Sequence, residues 1–334
     1  MTISSVVKNS DATKNKGIDP VKMEKKIQYS LVIPLFNEEE SLHELYEQIS
    51  KAISPLNAGV EILFVDDGST DRSMEILTEL HKKDSRVRVC QFRRNYGKSA
   101  ALAKGFQEAR GDFIVTMDAD LQDDPAEIPH LIDKLNEGFD LVSGWKKQRQ
   151  DPFVKRNTSK LFNKTTCMAT GLKLHDINCG IKAYRREVTE TIKVYGQLHR
   201  FLPVLAQWQG FRVGEIVVKH HPRKYGRTKF GISRFTAGFF DLVTVLFITH
   251  YRKRPLHLFG SVGLISFIVG SFVSGYLTVD KLVFGKHLTN RPLLFLGILL
   301  IIVGVQFFSI GLIGEMITES RQNQVEYSVR KMLG

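Results

Sequence analysis

The chain predicts an α/β domain on a mostly parallel, doubly wound sheet, followed by a two-helix membrane hairpin. Three observations lead there. Between residues 29 and 117, short apolar runs of strand length alternate with helical patterns, the order of stacked βα units. Two of those runs end in acidic turns, Asp66-Asp67-Gly68-Ser69-Thr70-Asp71 and Asp118-Ala119-Asp120-Leu121-Gln122. Residues 256–279 and 292–314 carry no Asp, Glu, Lys or Arg, and each run exceeds the roughly 20 residues that cross a bilayer.

Taken in order, residues 29–34 read as the first strand and 38–53 as a helix with Leu42, Leu45, Tyr46 and Ile49 on one face. Residues 60–65 read as the second strand. Gly68 permits the tight turn after it, and Ser69 or Thr70 caps a helix carrying Met74, Ile76, Leu77 and Leu80. A strand over 87–92, the turn Arg93-Arg94-Asn95-Tyr96-Gly97-Lys98, a helix over 99–109 and a strand over 113–117 complete the series. Ligands of such sheets bind beyond the carboxyl ends of the strands, so the turns over 34–38, 66–71 and 118–122 share one rim.

On that rim Asp118 and Asp120 are spaced to share a divalent cation. Hard oxygen ligands suit Mg²⁺ or Mn²⁺, and Mg²⁺ sits on few carboxylates plus substrate phosphates, so the implied ligand is a metal-bound diphosphate. An isolated Asp-x-Asp can equally solvate a strand end. The surrounding residues decide.

Pro34-Leu35-Phe36-Asn37-Glu38, Val65-Asp66-Asp67-Gly68-Ser69-Thr70-Asp71, Asn95-Tyr96-Gly97-Lys98 and Asp118-Ala119-Asp120-Leu121-Gln122-Asp123-Asp124-Pro125 together resemble the family-2 glycosyltransferases of GT-A fold, in order and at family spacing. The resemblance implies a GT-A (Rossmann-like) catalytic domain over residues 27–230 that binds a nucleotide sugar.

The remaining chain narrows this. Residues 1–26 are polar, bear lysines and lack an apolar core, so they read as a disordered tail and not a signal peptide. Cys90, Cys167 and Cys179 form no CxxC pair, which argues against a disulfide framework or zinc ribbon and fits a reducing compartment. The net charge of +12 raises a nucleic-acid reading. The basic residues concentrate between Arg212 and Arg254, just before the first apolar run, where they attract anionic headgroups. The bilayer explains the charge without nucleic acid. Arg252-Lys253-Arg254, Arg321, Arg330 and Lys331 outside the spans outnumber Lys281, Lys286 and Arg291 between them, which places both termini, and the tail over 317–334, in the cytoplasm of an inner-membrane protein. Within the juxtamembrane segment 231–254, Ile232, Phe235, Phe239, Leu242, Val243 and Leu246 recur at helical spacing, either as an interfacial helix or as one packed on the catalytic domain. A cytosolic donor brought to the membrane plane suggests a lipid acceptor.

Gly144-Trp145-Lys146, Arg149, Asp151, Lys155-Arg156, Ser159, Asn163, Asp176-Ile177-Asn178-Cys179-Gly180-Ile181-Lys182, His199-Arg200 and Tyr225-Gly226-Arg227-Thr228-Lys229 extend the similarity to polyprenyl-phosphate glycosyltransferases. The pattern is most like the bactoprenol glucosyltransferase branch, with dolichol-phosphate mannose synthase a relative. The resemblance implies that Pro34, Phe36, Glu38 and Asp66 hold base and ribose with Lys98 nearby, that Asp118, Asp120 and Gln122 face metal and diphosphate, and that Asp176 lies close to the sugar. Arg149, Arg156, Arg200 and Lys229 would anchor donor or acceptor phosphates. Lys155 and Arg223 fit a membrane-facing basic surface equally well. Lys146 stands where many relatives have Arg, and Lys lacks the bidentate fork, so it receives no phosphate. His220-His221 lack a companion acid at helix spacing and receive no metal.

These roles imply inverting transfer of a sugar, glucose from UDP-glucose by resemblance, onto undecaprenyl phosphate. A phosphate monoester is largely dianionic at neutral pH, so the acceptor needs no strong general base. Two alternatives stand beside this. A processive polysaccharide synthase shares the rim motifs, but Gln207-Trp208 lacks the arginine of its Gln-x-x-Arg-Trp signature. A non-catalytic scaffold binding sugar nucleotide or lipid phosphate is disfavoured because both acids of the metal motif are present. A homo-oligomer and a lipid-sugar flippase partner are left open.

Overall fold

The computed structural model describes residues 26–56, 58–147, 163, 165–168, 170–196, 198–225, 243–245, 247, 254–285 and 292–320. Strands β1 (Ile27–Leu35), β2 (Gly59–Asp66), β3 (Val87–Gln91) and β4 (Phe113–Thr116) alternate with helices α1 (Leu42–Ile53), α2 (Ser73–Lys83) and α3 (Lys98–Glu108). Helix α4 (Ile128–Asn136), strands β5 (Leu141–Trp145) and β6 (Lys182–Arg185), helices α5 (Arg186–Thr191) and α6 (Leu202–Trp208), and strand β7 (Val213–Val217) follow. The seven strands form one sheet in the order β3-β2-β1-β4-β6-β5-β7. All neighbours run parallel except β6, which is antiparallel to both β4 and β5. This is the GT-A arrangement.

Period-2 alternation explains how the sheet acquires two covered faces. Leu31, Ile33, Ile62 and Phe64 join one apolar cluster with Leu45 and Ile49 of α1, Leu77 of α2 and Leu131 of α4. The intervening Val32, Leu63 and Val65 join the other, with Leu102 and Phe106 of α3 and Leu202 of α6. Predicted and observed elements agree over residues 27–116, with small shifts at the ends. Helix α1 begins at Leu42 rather than 38, because residues 38–41 form a turn closed by the Ser41 N–H on the Glu38 carbonyl at 3.1 Å. The sequence reading contained none of β5, β6 and β7.

Register carries function here. Leu35 pairs with Asp66, which brings the carboxyl ends of β1 and β2 to one rim. Thr116, the last residue of β4, pairs with Lys182, the first of β6. Because β6 runs backwards, the segment entering it, residues 176–181, arrives at the same rim that the parallel strands leave.

Helices α7 (Pro255–Phe284) and α8 (Pro292–Ser320) are long and apolar enough to cross a membrane. They pack through glycines: a Cβ on Gly263 would stand 2.7 Å from the Gly304 carbonyl, and one on Gly270 would stand 2.6 Å from that of Gly297. Such close backbone approach is the usual basis of helix pairing in lipid. Phe272, Leu282 and Phe295 point outward, each more than 70% exposed. Glu315 near the end of α8 accepts the Leu256 N–H at 3.3 Å, satisfying a free donor at the start of α7. Helix α7 runs past the predicted end at 279 to Phe284, where Gly285 closes it at φ 65°. Asp280 and Lys281, read as loop residues, belong to its last turns. Helix α8 likewise runs past the predicted end at 314 to Ser320, into the tail predicted over 317–334. Residues 1–25, 226–242, 286–291 and 321–334, and with them most of the predicted juxtamembrane helix and of both predicted tails, lie outside the described residues.

Candidate active site

Three turns build one side of the rim, and side chains lace them together. Asn37 adopts a left-handed conformation, φ 57°, that Asn tolerates better than most residues. Its Oδ1 accepts the Thr70 N–H at 2.8 Å, while its own N–H donates to Ser69 Oγ at 2.9 Å. Asp66 is fully buried and accepts from the Ser69 N–H and hydroxyl and from Gln91 Nε2. Asp67, which the sequence reading left without a role, accepts the N–H groups of Tyr96 and Gly97 at 2.7 and 2.8 Å. It thereby fixes the turn from which Lys98 starts α3.

Lys98 forms an ion pair with Asp118. Burial raises the Asp118 pKa, but Lys98, Lys146 and Lys182 outweigh it and hold the carboxyl at about 2. Asp120 behaves oppositely. Burial, then repulsion from Asp118 and Asp123, pushes it above the usual carboxylate range, with Arg223 and the Gln122 N–H opposing. Between them and Gln122, Leu121 is left-handed at φ 58°, a costly conformation for such a side chain and one that concentrates at functional turns. The Gln122 N–H caps Asp120 Oδ1 at 3.2 Å, and its carbonyl accepts from the His221 N–H at 2.9 Å.

The second half of the site comes from the other side of the sheet. Asp123, 1% exposed, pairs its Oδ1 with Lys146 at 2.7 Å, and its Oδ2 has no hydrogen-bond partner among the described residues. Burial lowers the Lys146 pKa, yet Asp123 with Cys179 and Asp118 more than reverses this, so the ammonium is held above the usual lysine range. Lys146 is thus the partner of a buried acid. Gly180 lies against both carboxylates: a Cβ there would stand 2.8 Å from Asp118 Oδ2 and closer still to Asp123 Oδ2. Lys182, 4% exposed, donates to the Cys179 carbonyl, and burial lowers its pKa. The Cys179 thiol is pushed up to about 12 by burial, so it is no nucleophile.

A small cavity joins the two halves, lined by Pro34, Lys98, Asp118, Gly180, Lys182 and His199 among others. His199 is half-buried on the 3₁₀ turn Leu198–Phe201; burial first, then Lys98 and Arg200, lowers its pKa to about 3. Arg200 follows on the same turn. Asp176 is 1% exposed and takes a 3.4 Å contact from Asn163 Nδ2. Next to it His175 stacks on Trp145 at 4.0 Å.

One departure from expectation concerns Arg223. The sequence left it balanced between function and a membrane-facing surface, but its guanidinium reaches Glu38 at 3.5 Å and Asp120 at 3.6 Å. Burial raises the Glu38 pKa, Arg223 counters, and Asp120 adds repulsion. Asp123 bridges to His220 in strand-like fashion, so the segment after β7 lies along the Asp-x-Asp turn. Pro34, Glu38, Asp66, Lys98, Asp118, Asp120 and Gln122 therefore stand on one rim, with Phe36 just after β1. Arg149, Arg156 and Lys229, like Lys155, lie outside the described residues. Lys182 carries a sequence signal of its own, a lone lysine in the apolar run Ile181-Lys182-Ala183-Tyr184; His199 and Asp123 carry none beyond their motifs.

No group of three or more His, Cys, Asp or Glu poised for a metal occurs among the described residues. Asp118 and Asp120, close enough to repel each other, with Gly180, whose lack of a Cβ keeps Asp118 Oδ2 clear, still fit a hard cation that draws its other ligands from water and a diphosphate.

Comparison with known proteins agrees with this geometry. The sequence pattern of glycosyl transferase family 2 matches residues 30–193. The chain is 37% identical over 307 residues to a dodecaprenyl-phosphate galacturonate synthase of Rhizobium johnstonii, covering 90% of each. It is 37% identical over 295 residues to an undecaprenyl-phosphate 4-deoxy-4-formamido-L-arabinose transferase of Edwardsiella ictaluri, covering 88% of this chain and 90% of that one. Neither name carries glucose, the sugar that the sequence suggested. Among solved structures, glucosyl-3-phosphoglycerate synthase from Mycobacterium tuberculosis, in complex with Mn²⁺, UDP and phosphoglyceric acid, shares the fold at a TM-score of 0.50 and 22% identity, over 67% of this chain and 78% of that one. The chain belongs to glycosyl transferase family 2, in the group of its polyprenyl-phosphate sugar synthases and transferases.

Proposed function

We propose that this protein is an inverting, metal-dependent glycosyltransferase of the inner membrane that moves a sugar from a nucleotide donor, a UDP-sugar, onto the phosphate of undecaprenyl phosphate. The observation that carries this reading is the Asp118–Asp120 turn, whose Asp118 pairs with Lys98 and shares one cavity with it and Lys182, followed in the chain by an apolar hairpin.

Pro34, Phe36, Glu38 and Asp66 hold the base and ribose at the ends of β1 and β2. Asp118 and Asp120, with Gln122 beside them, would hold Mg²⁺ or Mn²⁺, which supplies positive charge to the departing nucleoside diphosphate. Asp118 is suited to this because it stays ionised far below neutral pH. Lys98 and Lys182 add charge at the same cavity, where preorganised partners act most strongly on charge that develops during reaction. Asp176 faces the sugar, and Arg149, Arg156, Arg200 and Lys229 anchor phosphates. The acceptor dianion attacks the anomeric carbon directly, and the bond to the nucleoside diphosphate breaks as the new one forms. Inversion turns an α-linked donor into a β-linked polyprenyl-phosphate sugar. The hairpin keeps the site at the membrane face, with both termini cytoplasmic.

The test is transfer of label from a panel of sugar nucleotides, UDP-glucose and UDP-galacturonic acid among them, to undecaprenyl phosphate by the full-length protein. Asp120→Asn keeps the size of the side chain and removes its charge. It is expected to cut transfer by roughly 10²–10³-fold, the range for losing one preorganised electrostatic partner, with unchanged thermal stability, and EDTA should reproduce the loss. Full transfer by the variant, or in EDTA, rejects the metal assignment.

A further inference from the structure

Ser99, in the first turn of α3, and His199, 100 residues later, meet at the wall of the cavity. Ser99 Oγ lies 2.8 Å from His199 Nδ1 and accepts the His199 backbone N–H at 3.3 Å. Ser99 is 2% exposed, and its side chain has no other hydrogen bond among the described residues. The hydroxyl proton therefore has one acceptor available, Nδ1. A neutral imidazole whose Nδ1 accepts carries its proton on Nε2. The ring borders the cavity beside Lys98, Asp118 and Lys182, and Nε2 has no partner among the described residues. The result is an uncharged N–H donor, held in one tautomer by a buried serine and facing a pocket already supplied with amines.

We propose that His199, positioned by Ser99, donates its Nε2–H to a hydroxyl oxygen of the sugar being transferred, and so reads the glycosyl part of the donor. This rests on the nucleotide-sugar reading above and adds to it a specificity-determining residue. A hydroxyl is the better match than a phosphate because Lys98 and Lys182 line the same cavity and carry the charge that an anion would need, which leaves the uncharged N–H to an uncharged acceptor whose own hydrogen bond would otherwise go unmade. Sites built around such a hydrogen bond discriminate against ligands that lack the matching group, since the protein's own polar atom is then left unpaired.

The experiment measures binding of UDP, UDP-glucose and UDP-galacturonic acid to the full-length protein with Mn²⁺ and without acceptor, by calorimetry. Wild type is compared with His199→Phe, His199→Gln and Ser99→Ala. His199→Phe is expected to weaken the better-bound UDP-sugar by roughly 5- to 20-fold, the range of one hydrogen bond left unmade, while UDP changes less than about twofold. His199→Gln, which restores an N–H, should recover part of the loss, and Ser99→Ala should fall between. Equal weakening of UDP and UDP-sugar overturns the proposal, because the histidine then serves the nucleotide or the fold. Unchanged affinity for all three ligands overturns it as well. Wild type that binds no UDP ligand overturns the donor reading itself and this inference with it.

Discussion

The two halves of the sheet reach the same rim by different routes. In β3-β2-β1-β4 every strand is parallel, and each turn is tied to its neighbour by residues close in sequence: Asn37 to Thr70 across 33 positions, Asp67 to Gly97 across 30. In β6-β5-β7 an antiparallel strand brings its amino end to the rim, and the ties reach much further. Ser99 meets His199 across 100 positions, and Arg223 meets Glu38 across 185. The near half builds its part of the rim from consecutive βα turns, the part assigned above to the nucleotide. The far half adds buried partners, Lys146 and Lys182, to the Lys98 of the near half in setting the charge of Asp118.

That difference is sharpest in two lysine–aspartate pairs on one rim. Lys146–Asp123 bridges the halves with side chains 13% and 1% exposed, whereas Lys98–Asp118 lies within the near half at 35% and 34%. Removing one partner of a buried pair strands the other charge, at a cost of about 3–5 kcal/mol. A half-buried pair such as Lys98–Asp118 lies between that and the surface value of about 1 kcal/mol or less. Lys146→Ala is therefore expected to lower the melting temperature strongly, and Lys98→Ala to lower it clearly less while transfer collapses. Scanning calorimetry beside the transfer assay checks both, and equal stability losses would break the distinction between the halves.

Legibility in the sequence follows the same division. Residues 27–116 were readable because each strand, turn and helix is specified by its own neighbours, and Asp66, Asp118 and Asp120 sit in turns whose chemistry is local. β5, β6 and β7 were not readable, because short segments such as Lys182–Arg185 become strands only through partners elsewhere. Lys146 was recognised as part of a motif but not as the counter-ion of Asp123, and no spacing rule links residue 223 to residue 120. Physical ties between distant residues leave no periodic trace in one sequence.

A second contrast sets the catalytic domain against the hairpin. Both sheet clusters form from residues preceding α7, and Val245, fully buried in one of them, also precedes it. A chain ending near Arg254 keeps that core and is expected to bind UDP with wild-type affinity. It should lose transfer to undecaprenyl phosphate in vesicles by on the order of 10²-fold, because it no longer shares the acceptor's bilayer and forfeits effective concentration. A short, water-soluble isoprenyl phosphate should lose far less. Equal loss with both acceptors, or lost UDP binding, would make the hairpin part of the catalytic fold.

The smallest effect tests whether the far half controls the near half's carboxylates, Asp118 and Asp120. Arg223, 30% exposed, stands beside Asp120 at 16% and Glu38 at 18%, so its loss should cost under about 1 kcal/mol of stability. Its charge competes with any cation for Asp120. Arg223→Ala should therefore tighten Mn²⁺ binding in the absence of nucleotide by about fivefold, the equivalent of about 1 kcal/mol, as read by electron paramagnetic resonance titration. Arg223→Lys, which keeps the charge on a shorter-reaching, compact head, should fall between the two. With UDP present the gain should shrink, because the diphosphate brings negative charge of its own and profits from a nearby guanidinium. Mn²⁺ affinity unchanged in Arg223→Ala would place the guanidinium away from the acids in solution. Weaker binding would mean that Arg223 orders the Asp-x-Asp turn instead of competing for it, a role that the pairing of His220 and His221 with Asp123 and Gln122 would then share.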